Sequence, residues 1–128
     1  MKNKVLIVIA NYYKDISRQL LKSAQNELKN FAKIKVIEVP GVFEIPVTIA
    51  KNIKKFDGFI ALGCVIQGET PHFTFISKST TDAIMKISVK FKKPVSNGIL
   101  TCLNKKQAIA RVKKGAEAAF AVKSILSQ

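Results

Sequence analysis

Residues 5–10 read Val-Leu-Ile-Val-Ile-Ala, six apolar positions in a row, four of them β-branched. A strand with one wet face alternates apolar and polar residues. An unbroken apolar run instead belongs to a strand covered on both faces, as in a parallel sheet. That one feature demands a layer of helix on each side of the sheet.

The rest of the chain supplies those layers. Residues 15–31 place Ile16, Leu20, Ala24, Leu28 and Phe31 at helical spacing, and a second strand over 34–39 stops at Pro40-Gly41. The next helix is expected to open near Pro46, since a first turn has no intrahelical use for the missing N–H, and Ile45, Ile49 and Ile53 form its inner stripe. A third strand spans 58–66, and a helix over 75–91 carries Ile76, Thr80, Ala83, Ile84 and Ile87 on one face. Pro94 precedes a fourth strand at 95–101. Asn104 with Gln107 three residues later matches a capping box opening one last helix. That helix carries Ala108, Ile109, Val112, Ala116, Ala119 and Phe120 inward, with Gly115 marking a break or a close approach. The order βαβαβαβα predicts one α/β domain over 1–128, a three-layer α/β/α sandwich around a four-stranded parallel sheet.

A chain of 128 residues fits one such domain, and it is long enough to fold without disulfides or a metal. Cys64 and Cys102 have no ligand spacing and there is one histidine, so neither a disulfide scaffold nor a zinc site is expected. No apolar run approaches the ~20 residues that cross a bilayer, and no export signal opens the chain, so a cytoplasmic protein without membrane attachment is expected. The formal charge of +14 comes almost wholly from lysine, with only Arg18 and Arg111 as arginines. Scattered lysines without aromatic platforms read as a solvated surface, with non-specific attraction to polyanions as the alternative; no specific nucleic-acid partner is expected.

Ligands of open α/β sheets bind at the carboxyl ends of the strands, so the loops there carry the chemistry. They are Asn11-Tyr12-Tyr13, Pro40 to Glu44, and Gly63 to His72, joined by Arg111 of the last helix. His72 has an imidazole suited to proton transfer near neutral pH, although a lone loop histidine is also an ordinary surface residue. Gly68 and Thr70 before a helix start suit an anion, or else form a plain strand-to-helix turn. Glu44 fits a helix dipole as well as a ligand. Phe43 fits a hydrophobic staple and Tyr12 a loop aromatic. Arg111 suits a planar anion or a surface ion pair. Cys64 has no nearby cation in sequence to make it a nucleophile. The serine-hydrolase, Walker A and dinucleotide-binding motifs are absent from the sequence.

Longer strings say more. Pro-Gly-Val-Phe-Glu-Ile-Pro at 40–46, Leu-Gly-Cys-Val-Ile-Gln-Gly-Glu-Thr-Pro-His at 62–72, Pro-Val-Ser-Asn-Gly-Ile-Leu-Thr at 94–101 and Gln-Ala-Ile-Ala-Arg at 107–111 resemble the lumazine synthase family, as does Lys-Gly-Ala-Glu-Ala-Ala at 114–119. The resemblance runs in order along nearly the whole chain. It implies a flavodoxin-like fold and a transferase of riboflavin biosynthesis. That enzyme condenses 5-amino-6-ribitylamino-uracil with 3,4-dihydroxy-2-butanone 4-phosphate to 6,7-dimethyl-8-ribityllumazine, phosphate and water, with no cofactor or metal. By the resemblance, Tyr12 stacks on the heterocycle, Val42, Phe43 and Glu44 hold the ribityl chain, and Cys64, Val65 and Ile66 present backbone to the pyrimidine. Glu69 and Thr70 match the phosphate loop, His72 the proton donor, Arg111 the phosphate-binding arginine, and Lys114 a lysine near the pyrimidine. It also implies a homo-oligomer, at least a pentamer, with active sites between subunits.

Four departures stand out. Asn97 occupies the place of an aromatic that a neighbouring subunit often contributes. Gln67 and Glu69 replace a basic and a small residue in the phosphate loop. The segment from Arg111 to Lys114 is short, and the sequence opens almost at its first strand, without the arm that often lies along a neighbour. A flavin or lumazine carrier of the same fold, having lost the reaction, is the alternative within the family; a basic RNA-binding module is the remote one outside it.

Overall fold

In the computed structural model, which describes residues 2–69 and 72–128, the run at Val5–Ala10 is the inner part of strand β1, Asn3–Ala10. The chain continues through α1 (Lys14–Leu28), β2 (Ala32–Val39), a 3₁₀ turn (Val42–Glu44), α2 (Ile45–Lys51), β3 (Gly58–Ile66), α3 (Phe73–Phe91), β4 (Val95–Cys102), α4 (Lys105–Ala110) and α5 (Lys114–Leu126). The strands are parallel and ordered β2-β1-β3-β4.

Strand geometry then divides the core. Val5, Ile7 and Ile9 point to one side, against Ile16, Leu20 and Leu28 of α1 and Ala119 and Val122 of α5. Leu6, Val8 and Ala10 point to the other, against Ile45 and Ile49 of α2 and Ile84 of α3. The three-layer α/β/α arrangement read from the apolar runs is the one found. Connections leave β1 toward β2, then cross back to β3, so the topological switch point lies between β1 and β3. A crevice therefore opens at their carboxyl ends.

Local chemistry sets the element ends. Lys29, with ψ 133, ends α1 three residues before the sequence periodicity does, and Asn30 at φ 69 completes a turn in which the Phe31 N–H donates to the Leu28 carbonyl at 2.9 Å, leaving Phe31 outside the helix. Asn104 Oδ1 accepts from the Gln107 N–H at 2.9 Å while Gln107 Oε1 accepts from the Leu103 N–H at 2.8 Å, a reciprocal cap of the kind the spacing suggests.

The final helix differs from expectation. It is two helices, α4 and α5, separated at Arg111, whose φ and ψ of −115° and 17° are not helical. The break rephases the inner face. Ala108 and Ala119 are buried as expected, but Ile109 and Phe120 are exposed and Ala118 and Val122 take their places. Gly115 lies in α5 directly against the Leu20 carbonyl and Ser23 of α1. Both suggestions raised by that glycine, a nearby break and a close approach, hold.

Candidate functional site

The crevice is built from three short segments. After Ala10, the Asn11 N–H donates to the Val39 carbonyl at 3.1 Å, which turns the chain outward and places Tyr12 at the rim. Tyr12 is 66% exposed, and its ring meets Tyr13 edge to face, with centroids 4.9 Å apart. That edge-to-face contact favours one orientation of the Tyr12 ring by about 0.5–1.5 kcal/mol.

The 3₁₀ turn forms the second side. It tucks Val42 into the core and leaves Phe43 outside, 57% exposed. Gly63 of β3 makes this approach possible, because a β-carbon there would lie 2.8 Å from Val42 Cγ1 and 3.2 Å from Ala10 Cβ. Glu44 lies beside Gly41 and leads into α2, where its carbonyl accepts from the Thr48 hydroxyl at 2.9 Å.

The end of β3 forms the floor and far side. Gln67 N–H donates to Cys102 carbonyl at 2.9 Å, and Gly68 then takes φ 85 to turn the chain back. Glu69 follows, its carboxylate accepting from the Tyr13 hydroxyl at 2.8 Å. Burial first, then Cys102 and Glu69, push the Cys64 thiol up from 9.0 to about 12. Cys64 is therefore a protonated, nearly apolar floor rather than a nucleophile.

These segments enclose a cavity of about 290 Å³, lined by Tyr12, Val42, Phe43, Cys64, Val65 and Glu69 together with Ala10, Gly41 and Ile76. Six residues singled out in the sequence thus meet in one place. The others lie elsewhere. Ile66 turns its side chain into the core beneath α1 and α5, and Glu44 is outside the lining. His72 is exposed, takes a left-handed φ of 64°, and begins α3 through its carbonyl, which accepts from the Ile76 N–H at 2.9 Å. Thr70 lies outside the described residues.

Asn97, Arg111 and Lys114 occupy the β4 side. Arg111 is exposed at the end of α4 and shares a shallow groove with Thr101, Lys113, Lys114 and Glu117. Asn97 Oδ1 accepts from the Ile99 N–H at 2.9 Å, and the residue lies between two further grooves. One of these reaches Lys114 and the other reaches Phe73 and Thr74 in the first turn of α3. Within one chain, then, the aromatic cavity and the β4-edge cations do not share a pocket among the described residues. Among the described residues no three of His, Cys, Asp and Glu converge as metal ligands.

The profile of the 6,7-dimethyl-8-ribityllumazine synthase family matches residues 2–128. The chain belongs to the lumazine synthase family. Curated relatives carrying that name agree with the match. The protein of Corynebacterium kroppenstedtii is 40% identical over 92% of this chain and 79% of its own length. That of Bartonella henselae is 45% identical over 88% and 76%, respectively. The 6,7-dimethyl-8-ribityllumazine synthase 1 of Rhodopseudomonas palustris is 43% identical over 96% and 83%.

In this member of the lumazine synthase family, three lining positions and one support carry no assigned role in the sequence, although Gly41 and Tyr13 fall in the loops singled out there. Ile76 reads only as an inner-face residue of α3, although it lies one helical turn past His72. Ala10 and Gly41 carry no chemical signal. Tyr13 is an aromatic beside an aromatic, and only the fold brings it to Glu69. Among the described residues, no helix is long and apolar enough to cross a membrane.

Proposed function

We propose that this chain is a 6,7-dimethyl-8-ribityllumazine synthase of the cytoplasm. It joins 5-amino-6-ribitylamino-uracil to 3,4-dihydroxy-2-butanone 4-phosphate with loss of phosphate and water, the penultimate step of riboflavin biosynthesis. The observation that carries this reading is the cavity between Tyr12, Phe43, Cys64 and Glu69 at the switch point of a chain matched by the family from residue 2 to 128.

The heterocycle enters that cavity, stacked by Tyr12 over the neutral Cys64 floor, and the ribityl chain runs along Val42, Phe43 and Glu44. Backbone of Cys64, Val65 and Ile66 pairs with the pyrimidine edge. The reaction is an amine addition to a ketone, an elimination of phosphate and a ring closure. Each step moves a proton over a short path, a task for the His72 imidazole. Arg111, with Thr70 and the start of α3, takes the phosphate and meets its charge as it departs. Holding two small substrates together supplies much of the remaining acceleration.

The active unit is at least a pentamer, with sites between subunits. Supporting this, Arg111, Lys114 and Asn97 lie in grooves separate from the cavity, so a neighbour's β4 edge completes the constellation. Chains of +14 repel one another, and phosphate ions lessen that repulsion. The partners are thus two small substrates and further copies of the chain, with no specific nucleic acid and no membrane.

Mixing both substrates and following lumazine absorbance tests the activity. Binding of the uracil substrate without product would reassign the chain to a carrier. Sedimentation velocity with and without phosphate tests the ring, and a monomer in both buffers would remove the shared site.

A further inference from the structure

The loop after β3 carries an acidic residue beside a site expected to take phosphate. Geometry gives that residue a different partner. Glu69 Oε2 accepts from the Tyr13 hydroxyl at 2.8 Å, across 56 residues of sequence and from one lip of the crevice to the other. A phenol donating to a carboxylate is a charge-assisted bond, shorter and stronger than a neutral one. Gly68, at φ 85, forms the turn that precedes Glu69. Tyr13 also braces Tyr12 edge to face. One side chain thereby fixes the aromatic wall and the acidic wall of the same cavity.

That cavity is otherwise mostly apolar, and Glu69 is its one carboxylate among the described lining residues. In an apolar pocket a few placed polar groups decide which ligand fits, and in which orientation. A carboxylate presents about four lone-pair sites, of which Tyr13 occupies one. The remainder accept from N–H and O–H groups and repel an anion at short range.

We infer that Tyr13 is a positioning residue, and that the Glu69 carboxylate it holds selects the donor-rich ribitylamino-uracil rather than the phosphate-bearing substrate. This rests on the substrates proposed above and gives the Glu69 side chain, on a loop expected to take phosphate, a part in the other half of the reaction. Glu69 accepts from an amino or ribityl donor. Tyr13 touches neither substrate through this bond and acts by keeping the carboxylate in place.

The test measures equilibrium binding of reduced 5-amino-6-ribitylamino-uracil alone, and of the butanone phosphate alone, to the assembled protein and to its variants. Loss of a hydrogen bond to a charged group predicts that Glu69→Gln weakens the uracil substrate about 10–100-fold. Tyr13→Phe, which keeps the ring, weakens it about 3–10-fold. Because Tyr13 works through Glu69, the double variant binds no more weakly than Glu69→Gln alone. Butanone phosphate binding is unchanged or tighter in all three. Unaltered melting temperatures confirm that the fold is intact.

Additive losses in the double variant, equal weakening of both ligands, or wild-type affinity in Glu69→Gln would each overturn the inference. Lumazine formation by the unaltered protein is scored separately. A protein that binds the uracil with this pattern but makes no lumazine would refute the enzyme reading and leave the Tyr13–Glu69 role standing.

Discussion

The α-carbon of Gly115 in α5 rests against the carbonyl oxygen of Leu20 in α1. Ser23 completes the contact, its Oγ 3.1 Å from the Val112 carbonyl and 2.5 Å from where a β-carbon on Gly115 would stand. The two helices that cover one face of the sheet thus meet backbone to backbone, just beyond the segment bearing Arg111 and Lys114. Gly115→Ala should destabilise the fold by about 1–3 kcal/mol through overpacking, although alanine is the better helix former. Thermal unfolding checks this, and a melting temperature at or above that of the unaltered protein would contradict the contact.

His72 begins α3 in a left-handed conformation that is costly for a residue with a β-carbon. If its imidazole moves the protons of the condensation, His72→Ala should lower kcat by about 10–1000-fold while both substrates still bind. His72→Asn keeps a residue tolerant of this backbone and loses the acid–base group, so it should lose the same activity without any loss of stability. Unchanged turnover in both variants would remove the proton-transfer role.

Arg111 ends α4 with its side chain exposed to the groove it shares with Lys113 and Lys114. Lysine at this position keeps the charge and loses the planar fork. Arg111→Lys should therefore raise the KM for butanone phosphate about tenfold, the scale of one charge-assisted hydrogen bond, with a smaller effect on the uracil substrate. Equal changes in both constants would point to a structural part in the α4–α5 break.

Cys64 gives a pH dependence of known sign. Unfolded, its thiol ionises near 9.0; folded, burial, Cys102 and Glu69 hold the proton until about pH 12. Between those values the unfolded chain binds fewer protons, so stability is full below pH 9.0 and falls as pH rises toward 12. Cys64→Ala should show a shallower decline of denaturation midpoint with pH over the same window. An identical slope would mean that the thiol is not protected. Alkylation of Cys64 at pH 8 should also be slow compared with a free thiol.

The sequence made the layers legible because burial on both faces leaves an unmistakable mark. Leu6 and Ile7 point to opposite cores and both are fully buried, so neither position tolerates a polar residue. Gly58–Ile66 reads the same way for the same reason. The final helix was not legible, since Ile109 and Phe120 fit a continuous helical stripe and only the turn at Arg111 rephases it. The cavity-lining positions at the strand ends and the Pro-Gly turn could be picked out because their strings resemble a family. Tyr13 could not, because its meaning depends on Glu69, and that pair exists only once β1 and β3 lie side by side.

The distance between the aromatic cavity and the β4-edge groove has a genetic consequence. Under the shared-site reading, Phe43→Ala damages one subunit's half of each junction and Arg111→Ala damages the half its neighbour supplies. Each variant ring alone carries only defective junctions. Unfolded together and refolded as a mixture, the two chains place some intact cavities beside intact arginine edges. A mixture of two inactive proteins would then regain a fraction of the activity that neither parent has, as alleles do when they complement within one gene.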